Sequence, residues 1–528
     1  MPQDTYRGRT PFQDSSVVNY FDDDGDPIED AAISDVDSSE PDDLDSRLCA
    51  LPANDLGNAQ RLMARNPGEI YWTPEWGPCV WDGHRFRFDK GGAEAEIGRR
   101  AQMTASRMHS HERRAFAGQR RPGESSEAFR KRVRHFATWC LQSGNSHRTS
   151  GMLKQAERTL TRPLRDFDAD PDRLVVANGT LYLPRDGQEV QFEAPHDRAH
   201  LCTKLAGARY DPLARAQLFE AFLEKVMPDA DDRAFLARVI GYCLTGRQME
   251  QAFFIFHGKG GDGKSTFLEA VAAALGDYVA NADIETFLRR DRKGSEHSSD
   301  VARLASGVRL VKASEPDFDA QLAVGLLKKI TGGEPFPCRA MFRQPFEFVP
   351  PWKLIISCNR KPKIKSGDRG IWRRTMVLEW PVSIAKEEMD KSLLDKLRAE
   401  ASGILNWAIA GWGDWLERGD LAPSPNVIRA TNEYRLVSDP CATWFEECCE
   451  LATEARESAD RLYKSYRGWA TADGFTVMGQ NAFGRWLSER GLQRKKSSGI
   501  YWIGVRLNEV GERAWHEDDQ GAPRADGE

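Results

Sequence analysis

The 528-residue sequence predicts an α/β protein with a P-loop nucleotide-binding core over 251–383. A mixed α+β domain over 60–250 precedes it, and a small helix-rich domain over 440–510 follows. Three observations carry that expectation. Gly258-Lys259-Gly260-Gly261-Asp262-Gly263-Lys264-Ser265 lies between the apolar run 252–256 and the breaker-free stretch 266–275, a pattern of buried strand, glycine-rich turn and helix. Two further apolar runs, 307–315 and 352–359, end in the polar residues Glu315 and Asn359. Beyond residue 440, three segments of helical spacing are followed by a short strand pair.

The glycines of the loop let successive backbone N–H groups point inward around phosphate oxygens, and the following helix adds partial positive charge at its N-terminus. Gly258, Lys259, Gly260, Gly261, Asp262, Gly263, Lys264, Ser265 and Thr266 are therefore the candidate ATP-binding residues. Lys264 can reach the β- and γ-phosphates, and the Ser265 hydroxyl can hold Mg²⁺. A chance glycine-rich loop is the alternative, and the correct flanks on both sides count against it.

Composition narrows the classes. No run of ~18 apolar residues occurs, so no transmembrane helix is expected. The N-terminal Met-Pro-Gln-Asp-Thr-Tyr-Arg lacks the basic-then-apolar pattern of a secretory signal. Ten cysteines without a CxxC pair fit reduced thiols in a cytoplasm, rather than a zinc ribbon or disulfide scaffold. The net charge is −6, but residues 1–46 hold fourteen acids against Arg7 and Arg9, a local −12, so the remainder carries +6. Residues 1–48 read as an acidic disordered tail, either solvated or a mimic of nucleic acid that meets a basic partner.

Along the chain, residues 70–76 and 80–88 read as short strands around an Asp82-Gly83 turn. Residues 92–142 read as helical. Within them, Arg113-Arg114, Arg120-Arg121 and Arg130-Lys131-Arg132 either meet phosphates or form a solvated face. His109 and His111 lack a partner at ligand spacing and are read as surface residues, not metal ligands. A hairpin is expected over 174–183 about Asn178-Gly179, and helical spacing returns over 213–247. After the core, a helical lid or linker spans 384–432, with an amphipathic helix at 391–417 and a break at Ala422-Pro423-Ser424-Pro425. Helices 444–455, 459–472 and 481–490 with strands 492–496 and 500–505 suggest a winged helix, its wing carrying Arg494, Lys495 and Lys496. Residues 511–528 read as a second disordered tail.

A P-loop alone does not name a reaction. Glu315 can bind Mg²⁺ through water or polarise the water that attacks a γ-phosphate, or it can be an ordinary strand-end acid. The Asn359 amide can orient that water. Arg373 and Arg374, ahead of the apolar run 376–380, can stabilise transition-state charge on a neighbouring subunit's nucleotide.

The order and spacing of these four elements resemble the superfamily 3 helicases, a viral and mobile-element branch of the AAA+ ATPases. Residues 330–348 resemble the additional motif of that family, whose hairpin projects into a central pore. The wider resemblance, over about 70–510, is to the helicase part of phage and plasmid primase-helicases, relatives of the poxvirus replication ATPase. Residues 174–183, Arg209-Tyr210-Asp211-Pro212 and 240–246 are similar to the domain that precedes the ATPase there. The resemblance implies Lys264, Ser265 and Thr266 on the triphosphate and Mg²⁺, Glu315 as the acid of the hydrolysis motif and Asn359 as the γ-phosphate sensor. It implies Arg373 or Arg374 as the finger, with Arg374 favoured, and Arg339, Phe342 and Arg343 as pore residues on single-stranded DNA. Phe346 is read as a core residue. Lys361, Lys363 and Lys365 form either a second DNA or intersubunit patch or a solvated loop.

Two departures matter. Glu315 is followed by Pro316 and then Asp317 instead of a second adjacent acid, so the division of metal and base roles between Glu315 and Asp317 stays open. The Asp-x-Asp carboxylates of a primase at the end of a buried strand are missing, so no primer synthesis is expected. The resemblance then implies an ATP-dependent replicative DNA helicase of a phage or mobile element, working in the bacterial host cytoplasm. It would be a homo-hexameric ring that uses ATP and Mg²⁺ and meets single- and double-stranded DNA and a separate primase. The alternative is an ATP-gated origin-binding or DNA-packaging AAA+ protein.

Overall fold

The computed structural model describes residues 42–521 except 90, 186–188, 290–299, 316–319, 341–342, 365–368 and 498. The chain forms two compact units, one holding 98–156 with the residues up to 65, the other holding 66–97 with the chain from 157 onward.

The second unit is built on a five-stranded parallel sheet in the order Thr375–Trp380, Phe253–Gly258, Lys353–Cys358, Leu310–Ser314, Val279–Asn281. Parallel strands need crossovers, and those crossovers cover both faces, which is why the strands read as near-continuous apolar runs. Side chains alternate. Phe254 and Phe256 enter one core with Val239, Phe267 and Trp412, while Phe253 and Ile255 enter the other with Ile330, Trp352 and Tyr434. Each such buried side chain contributes about 1.5–3 kcal/mol. The strand Phe253–Gly258 lies between the last two strands in chain order, so its C-terminal end opens at the point where the strand order reverses.

Helices Ala230–Cys243 and Ala401–Arg418 cross with almost no space between their backbones. A Cβ on Gly241 would lie 2.1 Å from the Trp412 nitrogen, and one on Gly411 2.1 Å from the Ala237 oxygen. Gly241→Ala should therefore destabilise the fold by about 1–3 kcal/mol. The expected readout is a lower urea midpoint at an unchanged m-value; an unchanged midpoint would show that the helices can part freely.

The expected hairpin forms as Arg173–Val176 with Gly179–Tyr182, but its two-residue turn is Ala177-Asn178, because Gly179 pairs with Val176 in the strand; a third strand follows at Gln191–Glu193. Leu174, Val176 and Leu181 bury into the same core as the sheet, and the Val175 N–H donates to the Tyr278 hydroxyl at 2.9 Å. This apolar face divides the domain expected over 60–250: its strands and its helices Gln217–Val226 and Ala230–Cys243 belong with the sheet, whereas 98–156 belongs to the other unit. Residues 70–88 hold three strands, Ile70–Thr73, Gly77–Trp81 and Phe86–Arg87, because residues 74–76 make a turn in addition to the one at Asp82-Gly83.

The first unit is helical as predicted, but of the two histidines read as surface residues His109 is half-buried and His111 lies inside. His111 is fully buried, with the Ser110 hydroxyl 2.6 Å from its Nδ1, and burial draws His109 below the ordinary imidazole range. They lie on a π-helical turn, Met108–Glu112, that carries Glu112 onto Arg61 at 2.6 Å and Arg65 at 2.7 Å. No metal-binding group of His, Cys, Asp and Glu occurs among the described residues.

Both expected tails shorten. Residues 1–41 lie outside the described residues, but Asp43–Leu48 is a helix with a capping box at Asp42, and its buried Asp45 pairs with Arg65 at 2.7 Å and Arg107 at 2.9 Å. At the other end Glu509–Gly521 is a helix docked by Arg467–Asp518 at 2.6 Å and by Ser465, whose hydroxyl donates to the Gly511 oxygen at 2.8 Å. Residues 522–528 lie outside the described residues. The expected helix 444–455 also stops early. Helix Pro440–Cys448 gives way to the strand Cys449–Ser458, drawn into pairing along Ile500–Leu507, so a three-stranded antiparallel sheet packs with helices Ala459–Ala472 and Gln480–Glu489. No helix among the described residues is long and apolar enough to cross a membrane.

Candidate nucleotide-binding site

The glycine-rich loop leaves the sheet at Gly258, which pairs with Trp380, and ends where helix Lys264–Leu275 begins. Gly260, Gly261 and Gly263 have φ of 91°, 64° and 86°, so the loop needs the left-handed region that glycine reaches without strain. A Cβ on Gly263 would also lie 2.9 Å from Val226. The loop wraps the nearly buried Asp262 carboxylate. That carboxylate accepts from the Gly260 N–H at 3.1 Å, the Lys264 N–H at 3.3 Å and the buried Lys264 ammonium. Converging backbone N–H groups and an ammonium are donors suited to any anion, phosphate included.

The predicted residues separate into two groups. Asn359, at the end of the neighbouring strand, is at the loop: its Oδ1 accepts from Lys264 Nζ at 3.3 Å. Ser265 and Thr266 lie in the first helical turn, Ser265 exposed and Thr266 half-buried, and Lys259 is exposed in the loop. Glu315 follows the next strand out, at the same end of the sheet, with its side chain exposed. Its backbone is left-handed at φ 54°, fixed by an N–H bond to the Ser357 oxygen at 3.0 Å. For a residue with a Cβ that conformation costs about 1–3 kcal/mol and concentrates at functional sites. Asp317 lies outside the described residues.

Arg373 and Arg374 do not come to the loop. They precede the strand Thr375–Trp380, at the N-terminal end of the sheet, a strand length of roughly 20 Å from Gly258. The two differ sharply. Arg373 is exposed, whereas Arg374 is 7% exposed, donating to the Gly370 oxygen at 2.9 Å and Gln251 Oε1 at 3.0 Å.

A polar group that the sequence did not disclose sits beside the loop. His257 Nδ1 is 2.6 Å from Glu379 Oε2, and Lys361 Nζ is 2.7 Å from Glu379 Oε1. Burial pushes the Glu379 carboxyl up, but hydrogen bonds from His257 and Lys361 outweigh it and hold the carboxyl below its ordinary range. Lys361 thereby has a place at the loop end of the sheet. Lys363 bridges to Gln321, and Lys365 lies outside the described residues. In residues 330–348 the predicted hairpin is Phe336–Arg339 with Pro345–Phe348. Arg339 and Arg343 are exposed and adjacent, Arg339 Nε donating to the Arg343 oxygen at 2.9 Å; Phe342 lies outside the described residues. Phe346 is half-buried against the core. Arg494, Lys495 and Lys496 are exposed on the strand Gln493–Lys496. All ten cysteines are free thiols, nine of them buried.

Residues 59–228 match the family described as D5 N terminal like, and residues 256–374 match a family of unknown function. A "Putative helicase" of Acanthamoeba polyphaga mimivirus is 29% identical over 354 residues, covering 62% of this chain and 36% of that protein. The chain is similar to D5-like primase-helicases. A "Putative helicase" of Frog virus 3 is 26% identical over 269 residues, 48% of this chain and 28% of that one. A "Putative primase" of African swine fever virus is 22% identical over 234 residues, 42% and 24% of the two chains. The chain thus spans about a third of the length of the two helicase-named relatives, at 36% and 28%. The apo structure of the NrS-1 C terminal region aligns over 86% of this chain and all of its own, at 11% identity and a TM-score of 0.44. A second structure of that region aligns over 62% of this chain at a TM-score of 0.36. Values this low fix neither ligand nor activity.

Proposed function

We propose that the chain is an ATP-dependent replicative DNA helicase of a phage or other mobile element, a superfamily 3 AAA+ motor that forms a ring and moves along single-stranded DNA. One observation carries the reading: the Gly260 and Lys264 N–H groups and the Lys264 ammonium converge on a single anion position at the C-terminal end of a parallel sheet, with Asn359 against that ammonium. A triphosphate bound there would receive the Gly260 and Lys264 N–H groups and the Lys264 ammonium, while Asn359 would hold the attacking water against the γ-phosphate. Ser265 and Glu315 offer the oxygen donors that suit Mg²⁺, which when bound neutralises charge on the phosphates. Arg373 would complete the site of an adjoining copy, since its distance from its own loop leaves it no role there. Arg339 and Arg343 on the hairpin would grip one strand, and Arg494, Lys495 and Lys496 would meet duplex DNA from a winged helix.

The reading makes Asp262 a competitor of the phosphates. Asp262→Asn should tighten nucleotide binding by about tenfold, because one like charge leaves the anion position. Titration with a fluorescent ATP analogue reads the effect, and weaker binding would mean that the carboxylate supports the loop instead of opposing its ligand. The whole function is tested by strand displacement on forks with 3′ and 5′ tails, with particle mass determined alongside. Turnover that single-stranded DNA does not stimulate, together with no displacement, would sink it.

A further inference from the structure

Away from the glycine loop, a cavity of about 610 Å³ opens beside the small antiparallel sheet of 70–88. Trp76 and Phe88 form one wall, edge to face at 5.4 Å and 86°. Lys204, Arg303 and Arg343 line it from three other segments. Arg343 is held close to the sheet: a Cβ on Gly77 would lie 2.5 Å from its guanidinium.

The acids of this cavity are mostly spoken for. Asp277 pairs with Arg85 and accepts the Leu205 N–H at 3.0 Å, Asp89 pairs with Arg87 at 2.7 Å, and Glu75 accepts the Leu164 N–H at 3.1 Å. Asp300 is the remaining carboxylate on the wall. Among the described residues none of the acids forms an ion pair with Lys204, Arg303 or Arg343; Arg303 donates only to the Asn281 oxygen, at 3.2 Å. Burial draws the Lys204 ammonium below its usual range even though the Asp168 carboxylate pulls it up, and Arg85 adds repulsion, so an arriving anion would offset that net penalty. Three cations without a direct ion pair to the wall's carboxylates, set beside two aromatic faces, match a ligand that carries both phosphate and a flat ring.

We propose that this cavity binds a nucleoside phosphate, its base against Trp76 and Phe88 and its phosphate on Lys204, Arg303 and Arg343. The same chemistry arrives as a free nucleotide or as one unit of a single strand, and the experiment separates the two. Full-length protein carrying Lys264→Ala, which silences the glycine loop, is titrated with dTMP and, separately, with fluorescein-labelled oligo-dT. Adding Lys204→Gln and Arg303→Gln should weaken binding by about tenfold. A loss in the dTMP arm assigns a free nucleotide; a loss confined to the oligomer arm assigns a strand unit. Unchanged affinity in both arms overturns the site. A second measurement needs no substitution: photocrosslinking of an azido-nucleotide and of an iododeoxyuridine oligomer to the unaltered chain. Adducts at Trp76 or Phe88 with either probe support the site, and adducts only elsewhere overturn it. Both measurements read binding rather than turnover, so they stand even where strand-stimulated hydrolysis fails and the motor reading falls with it.

Discussion

Lys264→Ala should lower ATP turnover by about 10²–10³-fold. The ammonium is buried, in contact with the Asp262 carboxylate and 3.3 Å from the Asn359 oxygen, so among the described residues it is the cation held where the loop N–H groups converge. Its loss would leave Asp262 without its counter-charge in a loop that must accept phosphates, and both nucleotide affinity and hydrolysis should suffer. Fluorescent-nucleotide titration and phosphate release measure the two separately. A Lys264→Ala protein that hydrolyses ATP at the normal rate would mean that the loop is not the nucleotide site at all.

Arg373→Ala should lower turnover by about 10³-fold in the assembled protein. Arg374→Ala should instead loosen the fold by about 2–4 kcal/mol. The resemblance favours Arg374 as the finger, but the structure points Arg374 inward to Gly370 and Gln251 and leaves Arg373 in solvent. Removing Arg374 leaves the Gly370 carbonyl and the Gln251 amide short of a donor, which is expensive in a buried place. Removing Arg373 breaks no such bond. Mixing Arg373→Ala chains into wild type should therefore depress turnover more than in proportion, because each altered copy spoils its neighbour's site. A thermally stable Arg374→Ala protein that fails to hydrolyse, beside a fully active Arg373→Ala, would reverse the assignment.

Much of the loop end of the sheet was legible because parallel strands buried on both faces leave little choice of residue. The runs ending at Gly258, Ser314 and Cys358 could be read directly, and neighbouring ends bring Asn359 to Lys264. What the runs do not encode is rotation and partnership. Nothing in Arg373-Arg374 tells which guanidinium turns inward; Gln251, more than a hundred positions away, decides it. The His257–Glu379–Lys361 group depends on strand order, which local pattern leaves open. The strand Cys449–Ser458 carries three glutamates and an exposed Leu451, a composition that reads as helix until Ile500–Leu507 supplies an edge to pair with. The histidines at 109 and 111 went astray for a related reason: a π-helical turn rotates the face that a regular helix would have shown to water.

The C-terminal sheet has Ile500–Leu507 in the middle, so Cys449–Ser458 and Gln493–Lys496 are its two outer strands. The first bears Glu450, Glu454 and Glu457 against Arg456 alone, and the second bears Arg494, Lys495 and Lys496. Two copies that met through the same rim would set like charges opposite one another, so a symmetric dimer by strand addition is disfavoured at either side. Unlike rims would attract, and a head-to-tail contact of that kind continues from copy to copy, closing on itself only where the rotation between copies permits.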